Sequence, residues 1–120
     1  MSAKLNRVTL IGRMGQDPKL SYTNGGAAVA SFSLATDESY TDRNNGQKVD
    51  RVEWHRIVAW RQLGEFCGRC LAKGRMVYVE GKLQTRKWSD DGGVERYTTE
   101  IVAESVQPLD RRPETAGGEE

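Results

Sequence analysis

The stretch Arg51-Val-Glu-Trp-His-Arg-Ile-Val-Ala-Trp60 is rich in β-branched and aromatic residues and contains neither Gly nor Pro, which predicts a β-strand. Side chains alternate between the two faces of a strand, so Trp54, Arg56 and Trp60 share one face. Two indoles beside a guanidinium suit a nucleobase stacked next to its phosphate. They equally suit a half-buried barrel wall in which Arg56 extends its charge into solvent. This strand alone leaves both interpretations open.

The rest of the chain supplies four more strands and one helix. The predicted elements are strands at 5–12, 27–36, 51–60, 75–88 and 94–106 and a helix at 62–72. Three strands, one helix and two strands follow the order of the OB-fold. The sequence therefore predicts an all-β domain with one short helix, a five-stranded Greek-key barrel whose helix lies between strands 3 and 4.

The alternation within these strands also predicts which side chains face the barrel interior. In the second strand the inward residues are Ala28, Ala30, Phe32 and Leu34. In the fourth strand they are Val77, Val79, Gly81, Leu83 and Thr85, and in the last strand one side carries Tyr97, Thr99, Ile101 and Ala103. The first strand is apolar on both faces, which favours a central position or a cover from another subunit.

A chain of 120 residues is long enough for one domain, predicted at 1–108, and the aperiodic acidic residues 109–120 are predicted to form a disordered tail. No apolar run reaches the length of a membrane span or a signal peptide, which predicts a cytoplasmic protein without a membrane partner.

Between residues 54 and 89 eight basic residues face two acidic ones, a balance of +6, whereas residues 90–120 carry −6. This asymmetry favours a polyanionic partner for the basic body.

The residues that could support catalysis or metal binding are few. Cys67-Gly-Arg-Cys70 has a spacing used in redox and metal sites, but the chain offers only these two cysteines and one histidine. Both cysteines fall on the apolar stripe of the helix, so we interpret them as reduced core residues. His55 has no accompanying nucleophile or carboxylate cluster, and a subunit contact suits it better than catalysis. The sequence predicts neither an enzyme, nor a metal site, nor a cofactor.

A second strand repeats the aromatic and basic pattern of the first. Trp88 and Arg86 fall two residues apart on the even-numbered face of the strand at 75–88, whose odd positions carry the apolar alternation. This recurrence favours stacking on nucleobases. Flat aromatic faces need unstacked bases, and the chain offers no recognition helix for a major groove, so the pattern indicates single strands with little sequence preference.

Several motifs in fixed order resemble the bacterial single-stranded DNA-binding proteins, and the match covers residues 3 to about 107. The motifs are Asn6-Arg-Val-Thr-Leu-Ile-Gly-Arg13, Gly15-Gln-Asp-Pro18, Thr36-Asp-Glu-Ser-Tyr40, Glu53-Trp-His-Arg56, Glu80-Gly-Lys-Leu83, Thr85-Arg-Lys-Trp-Ser89 and Arg96-Tyr-Thr-Thr-Glu100. The resemblance implies a cytoplasmic, nucleoid-associated OB-fold homotetramer that protects single-stranded DNA during replication, recombination and repair.

The resemblance also implies roles for particular residues. Those expected to contact DNA are Tyr40, Trp54, Arg56, Trp60, Lys73, Arg86, Lys87 and Trp88. Those expected at subunit contacts are His55, Leu10 and Tyr78. Tyr40 and Trp60 differ in aromatic type from the commonest versions of the family, although any aromatic ring can stack on a base.

The acidic C-terminal segment departs further from the family. Its members usually end in a tip finishing with Pro-Phe, which recruits replication and repair proteins, whereas this sequence ends Ala116-Gly-Gly-Glu-Glu120. The sequence is compatible with a shortened form and with a natively short form in which recruitment of these partners is reduced. An alternative function is that of a primosome-type OB-fold assembly factor acting mainly through protein contacts.

Overall fold

Five strands of the computed structural model, which describes residues 3–110, close into a barrel. They are β1 (Val8–Met14), β3 (Ala28–Asp37), β6 (Val52–Trp60), β7 (Met76–Ser89) and β8 (Glu95–Pro108), with helix α1 (Arg61–Cys70) between β6 and β7. The sheet order is β1-β7-β8-β6-β3, and pairing of β1 with β3 closes the ring. The predicted OB-fold is therefore confirmed, with α1 between the third and fourth barrel strands.

The strand that carries Trp54 and Trp60, β6, has a neighbouring strand on each side in the sheet. It pairs antiparallel with β3 from Val52 to Trp60, and parallel with β8 at Ile57 and Val58. Because β8 then pairs antiparallel with β7 from Glu95 to Pro108, the strands β6, β8 and β7 are neighbours in that order. The two strands that carry tryptophan thus flank β8.

Three short strands were not predicted. They are β2 (Lys19–Tyr22), β4 (Tyr40–Thr41) and β5 (Lys48–Val49). β2 pairs with β3 at the edge of the sheet and every residue in it is exposed, so it lacks the apolar alternation that reveals a half-buried strand. β4 and β5 form a separate two-stranded hairpin around the dipeptide Asn45-Gly46, where Gly46 has a positive φ.

The hydrophobic core is formed by the inward-facing residues of the barrel strands and by the apolar side of α1. The inward residues predicted for β3 are all buried, and they pack with Ile57 and Ala59 of β6. α1 covers one end of the barrel, with Cys67 and Leu71 buried and Leu63 and Phe66 partly buried against the core. The helix contacts the sheet closely at Gly64, where an added Cβ would lie 2.6 Å from the carbonyl oxygen of Ala59. Among residues 3–110 no helix has the length and apolar character needed to cross a membrane.

The hairpin of β7 and β8 extends beyond the barrel, and here part of the sequence prediction was wrong. Val77, Val79 and Gly81 face inward as predicted, but every residue from Lys82 to Ser89 is exposed. Leu83 and Thr85 therefore do not reach the core, and neither do Tyr97 and Thr99 of β8. A bulge between Glu80 and Gly81 marks the change, because the extra residue interrupts the ladder where the hairpin leaves the barrel.

The last described residues are bonded to the start of β7, although residues 109–120 were predicted to form the tail. The Leu109 N–H donates to the Met76 carbonyl, and the Met76 N–H donates to Asp110 Oδ2 at 3.0 Å. The buried Arg75 donates through Nε to Asp110 Oδ1 at 3.1 Å and through Nη1 to the Cys70 carbonyl. The ordered contacts thus continue two residues beyond the predicted boundary at 108, and the rest of the predicted tail, 111–120, lies outside the described residues.

Asp110 gives the fold a specific sensitivity to acid. Burial alone would raise its pKa, but hydrogen bonds from Met76 and Arg75 and the charge of Arg75 outweigh burial and lower the pKa below 3.8. A lowered folded-state pKa stabilises the fold above the unfolded value, and this contribution is lost as the pH falls through the folded value. Asp110→Ala is expected to reduce the free energy of unfolding by about 1–3 kcal/mol at neutral pH.

Urea titrations of wild type and Asp110→Ala from pH 6 to pH 3 measure this effect. The difference between the two proteins should shrink towards pH 3, because the Asp110 carboxyl of the unfolded chain takes up a proton at a higher pH than that of the folded protein. A difference that stayed constant across this range would show that Asp110 contributes by packing and not by charge.

Candidate nucleic-acid interface

Three tryptophans are exposed on the two barrel strands that flank β8. Trp54 and Trp60 lie on β6 and Trp88 lies on β7, and their exposed fractions are 58%, 41% and 40%. Indoles usually contribute to cores because they bury a large apolar area, so three that remain open to solvent are unusual for a stable surface. Arg56 and Arg86 lie on the same outward face. Trp54, Arg56, Trp60, Arg86 and Trp88 thus lie on the outward faces of β6 and β7. We refer to this set as the aromatic face.

The backbone of the β1–β2 loop supports one edge of the Trp54 indole. An added Cβ on Gly15 would lie 2.5 Å from the indole ring, so the absence of a side chain is what allows the ring to lie there. Beside the indole opens a groove of about 330 Å³ whose lining includes Gln16, Ser33 and Arg56. Ser33 Oγ donates to Gln16 Oε1 at 3.3 Å, which joins the loop to β3 under this groove.

This contact predicts that Gly15→Ala displaces Trp54 without unfolding the protein. Gly15 does not have a positive φ, so alanine is free of backbone strain there. The atoms it meets belong to the side chains of Trp54, which is exposed, and Ser33, whose Oγ would lie 2.9 Å away, and not to the backbone. We expect the affinity for oligo(dT) to fall by up to about 1–3 kcal/mol, the contribution of one stacked base, with little change in the melting temperature. Fluorescence titration and thermal unfolding measure both quantities.

The matched control is Gly25→Ala, where the nearest atom to an added Cβ is 3.9 Å away and no indole is near. Wild-type affinity in Gly15→Ala would show that the loop does not set the position of the indole.

Trp88 is held by its polar edge. Its Nε1–H donates to Thr98 Oγ1 on β8 at 2.9 Å, across the hairpin. Because the only hydrogen-bonding atom of the indole is satisfied by Thr98, the exposed ring surface is free for apolar or stacking contacts.

The sequence prediction missed Glu100, which lies between the two arginines. Glu100 is on β8, is only 7% exposed, and accepts from Arg56 Nε at 2.9 Å and from Arg86 Nε at 3.4 Å. Glu100 appears in the family motif, but its role depends on β8 lying between β6 and β7. The position of β8 between β6 and β7 is the observation that reveals the role of Glu100, and the local sequence pattern does not contain it.

The other residues predicted to contact DNA lie away from the aromatic face. Tyr40 is exposed on the separate β4–β5 hairpin, and Lys73 follows the helix, where its backbone N–H donates to Asp17. Lys87 alternates with Trp88 and so points to the opposite side of β7, where its Nζ lies 3.0 Å from a Glu95 carboxylate oxygen. Contacts of these three residues with DNA remain predictions.

The residues predicted for subunit contacts are differently placed. Leu10 packs against the barrel core, so the apolar residue that β1 presents outward is Ile11, which is 56% exposed. Ile11 pairs with Tyr78 of β7, whose hydroxyl donates to Glu80 at 3.0 Å, and this hydrogen bond raises the pKa of Tyr78. His55 is half-buried, with Nε2 at 2.9 Å from Thr36 Oγ1.

The two cysteines occupy structural positions. Cys67 is completely buried, and its burial, followed by the neighbouring Cys70, raises the pKa of its thiol to about 12. A thiol with that pKa is protonated at neutral pH and is a poor nucleophile. Among residues 3–110 no group of three or more His, Cys, Asp or Glu side chains is arranged to hold a metal ion.

The closed barrel with its helix between the third and fourth strands defines an OB-fold domain, and the aromatic face lies on the outside of its sheet. A model of the Single-strand binding protein family matches residues 5–109, and the chain belongs to this family. The resemblance found in the sequence is therefore confirmed.

Individual relatives agree with this assignment. The chain is 48% identical over 114 residues to the single-stranded DNA-binding proteins of Neisseria meningitidis serogroups A and B, which covers 95% of this chain and 65% of each relative. The chain thus spans slightly less than two thirds of the length of these relatives.

Solved structures show the same barrel. Plasmodium falciparum SSB in complex with ssDNA superimposes with a TM-score of 0.81 at 39% identity, over 92% of this chain and 99% of that one. A deletion mutant of the single-stranded DNA binding protein from Thermus aquaticus superimposes with a TM-score of 0.75 at 35% identity, over 90% of this chain and 52% of that one.

Proposed function

We propose that this chain binds single-stranded DNA with little sequence preference, by stacking bases on its tryptophans and pairing phosphates with its arginines. The observation that carries this proposal is the aromatic face, on which exposed indoles alternate with half-exposed guanidiniums along β6 and β7, the two strands that flank β8. Each base that stacks on an aromatic ring contributes about 1–3 kcal/mol, and every base has a flat face to offer. Guanidiniums two residues from the indoles are at a suitable spacing for the phosphates that connect those bases.

The geometry favours a single strand over a duplex. Stacking on Trp54, Trp60 and Trp88 requires bases that are not already stacked and paired in a helix. Helix α1, the only one among residues 3–110, packs against the end of the barrel through its apolar stripe, and no described helix is free to enter a major groove. The names of the meningococcal relatives and the single-stranded DNA bound to the Plasmodium protein support the same ligand.

The biological setting that we propose follows the family. The chain acts without catalysis as a homotetramer in the cytoplasm, associated with the nucleoid, and protects transient single strands in replication, recombination and repair. Support for self-association comes from Ile11, which is exposed on the outer surface of β1 and pairs with the partly buried Tyr78 of β7. Measurement of the mass of the free protein in solution tests the homotetramer.

A fluorescence titration with oligo(dT) tests DNA binding. Stacked bases are expected to quench the tryptophan emission, and affinity is expected to fall as salt rises, since bound cations displace condensed counterions. For single strands the slope of log K against log salt is about −0.7 for each phosphate neutralised, so the titration also counts phosphate contacts. Unchanged tryptophan emission at saturating oligo(dT) would contradict the proposal.

A further inference from the structure

We propose that Glu100 is a positioning residue of the aromatic face, a buried counter-ion that fixes the orientation of two phosphate-binding arginines. This inference rests on the proposed function and assigns a role to a residue that makes no predicted contact with DNA. It starts from a conflict of charge: a buried carboxylate lies in the middle of a face that we expect to bind a polyanion.

The geometry shows how the conflict is resolved. The two oxygens of Glu100 are divided between the two arginines, Oε2 accepting from Arg56 Nε and Oε1 from Arg86 Nε. Both bonds use the nitrogen nearest to the aliphatic stem of the arginine. Among residues 3–110 neither guanidinium has another hydrogen-bonding partner, so the terminal nitrogens of both remain available for phosphate.

The burial of the three groups supports the same division. The Glu100 side chain is 8% exposed, whereas those of Arg56 and Arg86 are 51% and 50% exposed. The carboxylate therefore lies beneath the guanidiniums and cannot easily meet a DNA phosphate. Fixing both arginines before binding reduces the side-chain entropy that binding would otherwise remove. The cost is electrostatic, because one negative charge offsets part of the attraction of two positive ones.

Two substitutions separate the effect of the charge of the Glu100 carboxylate from the effect of its side-chain length. Glu100→Gln removes the charge at nearly constant shape, which strengthens the attraction for phosphate but weakens the anchoring of both arginines. The slope of log K against log salt should become steeper by about 0.7, the value of one additional counterion. The affinity of the variant for oligo(dT) should therefore fall more steeply than that of wild type as salt rises, and the variant should be the weaker binder at high salt.

Glu100→Asp tests the length of the side chain alone. It keeps the charge but is one methylene shorter, so it cannot hold both guanidiniums in place. We expect the salt slope of wild type with a lower affinity at every salt concentration. Glu104→Gln is the matched control, since it removes the same charge from an exposed position of β8 that forms no ion pair with the described residues. It should leave both slope and affinity unchanged.

A measurement without DNA separates this inference from the proposed function. In ¹⁵N–¹H spectra of the free protein, the Nε–H signals of Arg56 and Arg86 should be protected from exchange in wild type and lose that protection in Glu100→Gln. This result would stand even if the wild type failed to bind oligo(dT), which would contradict only the proposed function. Parallel salt dependences for wild type and Glu100→Gln, wild-type affinity in Glu100→Asp, or unprotected Nε–H signals in wild type would each overturn the role of Glu100.

Discussion

Trp54→Ala is expected to weaken the binding of oligo(dT) by about 1–3 kcal/mol, a factor of about 5 to 150 in Kd. Trp54 is the most exposed of the three tryptophans, and its ring lies over Gly15 beside a groove large enough to receive part of a nucleotide. Truncation removes the platform but little of the core, because most of the side chain is open to solvent. The melting temperature should therefore change little. Titration with oligo(dT) at fixed salt measures the loss, and circular dichroism confirms the fold.

Tyr97→Ala is the matched control for this prediction. Tyr97 is a 65% exposed aromatic residue on the same hairpin as Trp88, but it pairs with Lys87 and lies on the opposite side of the ribbon. Its truncation should leave the affinity close to that of wild type. Equal losses in Trp54→Ala and Tyr97→Ala would show that exposed aromatic area matters and that the aromatic face has no special part in binding.

Gly81→Ala is expected to reduce the free energy of unfolding by about 3 kcal/mol or more, at the upper end of the cost of overpacking. Gly81 lies opposite the bulge of β8, where an added Cβ would be 2.1 Å from the carbonyl oxygen of Val102 on β8. The obstructing atom belongs to the backbone of a paired strand and cannot rotate away, so β7 and β8 must separate. Thermal unfolding at matched protein concentration should show a melting temperature lower by roughly 10 °C or more.

Gly25→Ala again supplies the control. Its turn is open and its φ is not positive, so the substitution should change stability by about 0.5 kcal/mol or less. If Gly81→Ala and Gly25→Ala melted together, the close approach of β7 and β8 at the bulge would not be a constraint on the fold.

The barrel could be predicted from the sequence because its strands are half-buried. In β3 every second residue is buried, and period-two alternation is the direct signature of that environment. The helix could be predicted because its apolar residues fall on one buried face. It ends at Cys70, two residues before the predicted end, and the chain is extended at Leu71. The aromatic face followed from alternation as well, since Trp54 and Trp88 fall on the polar side of strands whose other side is apolar.

The remaining errors share one physical cause. Alternation tells which residues share a face, but it does not tell where along a strand the core ends. Leu83 and Thr85 continue the inward pattern of β7 past the edge of the barrel, and both are exposed. In β1 both faces are apolar, so the pattern did not reveal that Leu10 faces the core and Ile11 faces outward. The role of Glu100 depends on contacts between strands that are far apart in the chain, and a local pattern contains no information about them.

The extension of the β7–β8 hairpin beyond the barrel has a consequence for how the two ends of the aromatic face behave in time. Trp54 lies on β6, which is paired with β3 along its whole length. Trp88 lies on a two-stranded ribbon without a core, and such ribbons are only marginally stable on their own. Amide exchange should therefore quicken from Gly81 towards Ser89, as local opening becomes easier with distance from the barrel. The indole of Trp54 therefore lies on a strand paired along its whole length, whereas that of Trp88 moves with the opening of the ribbon.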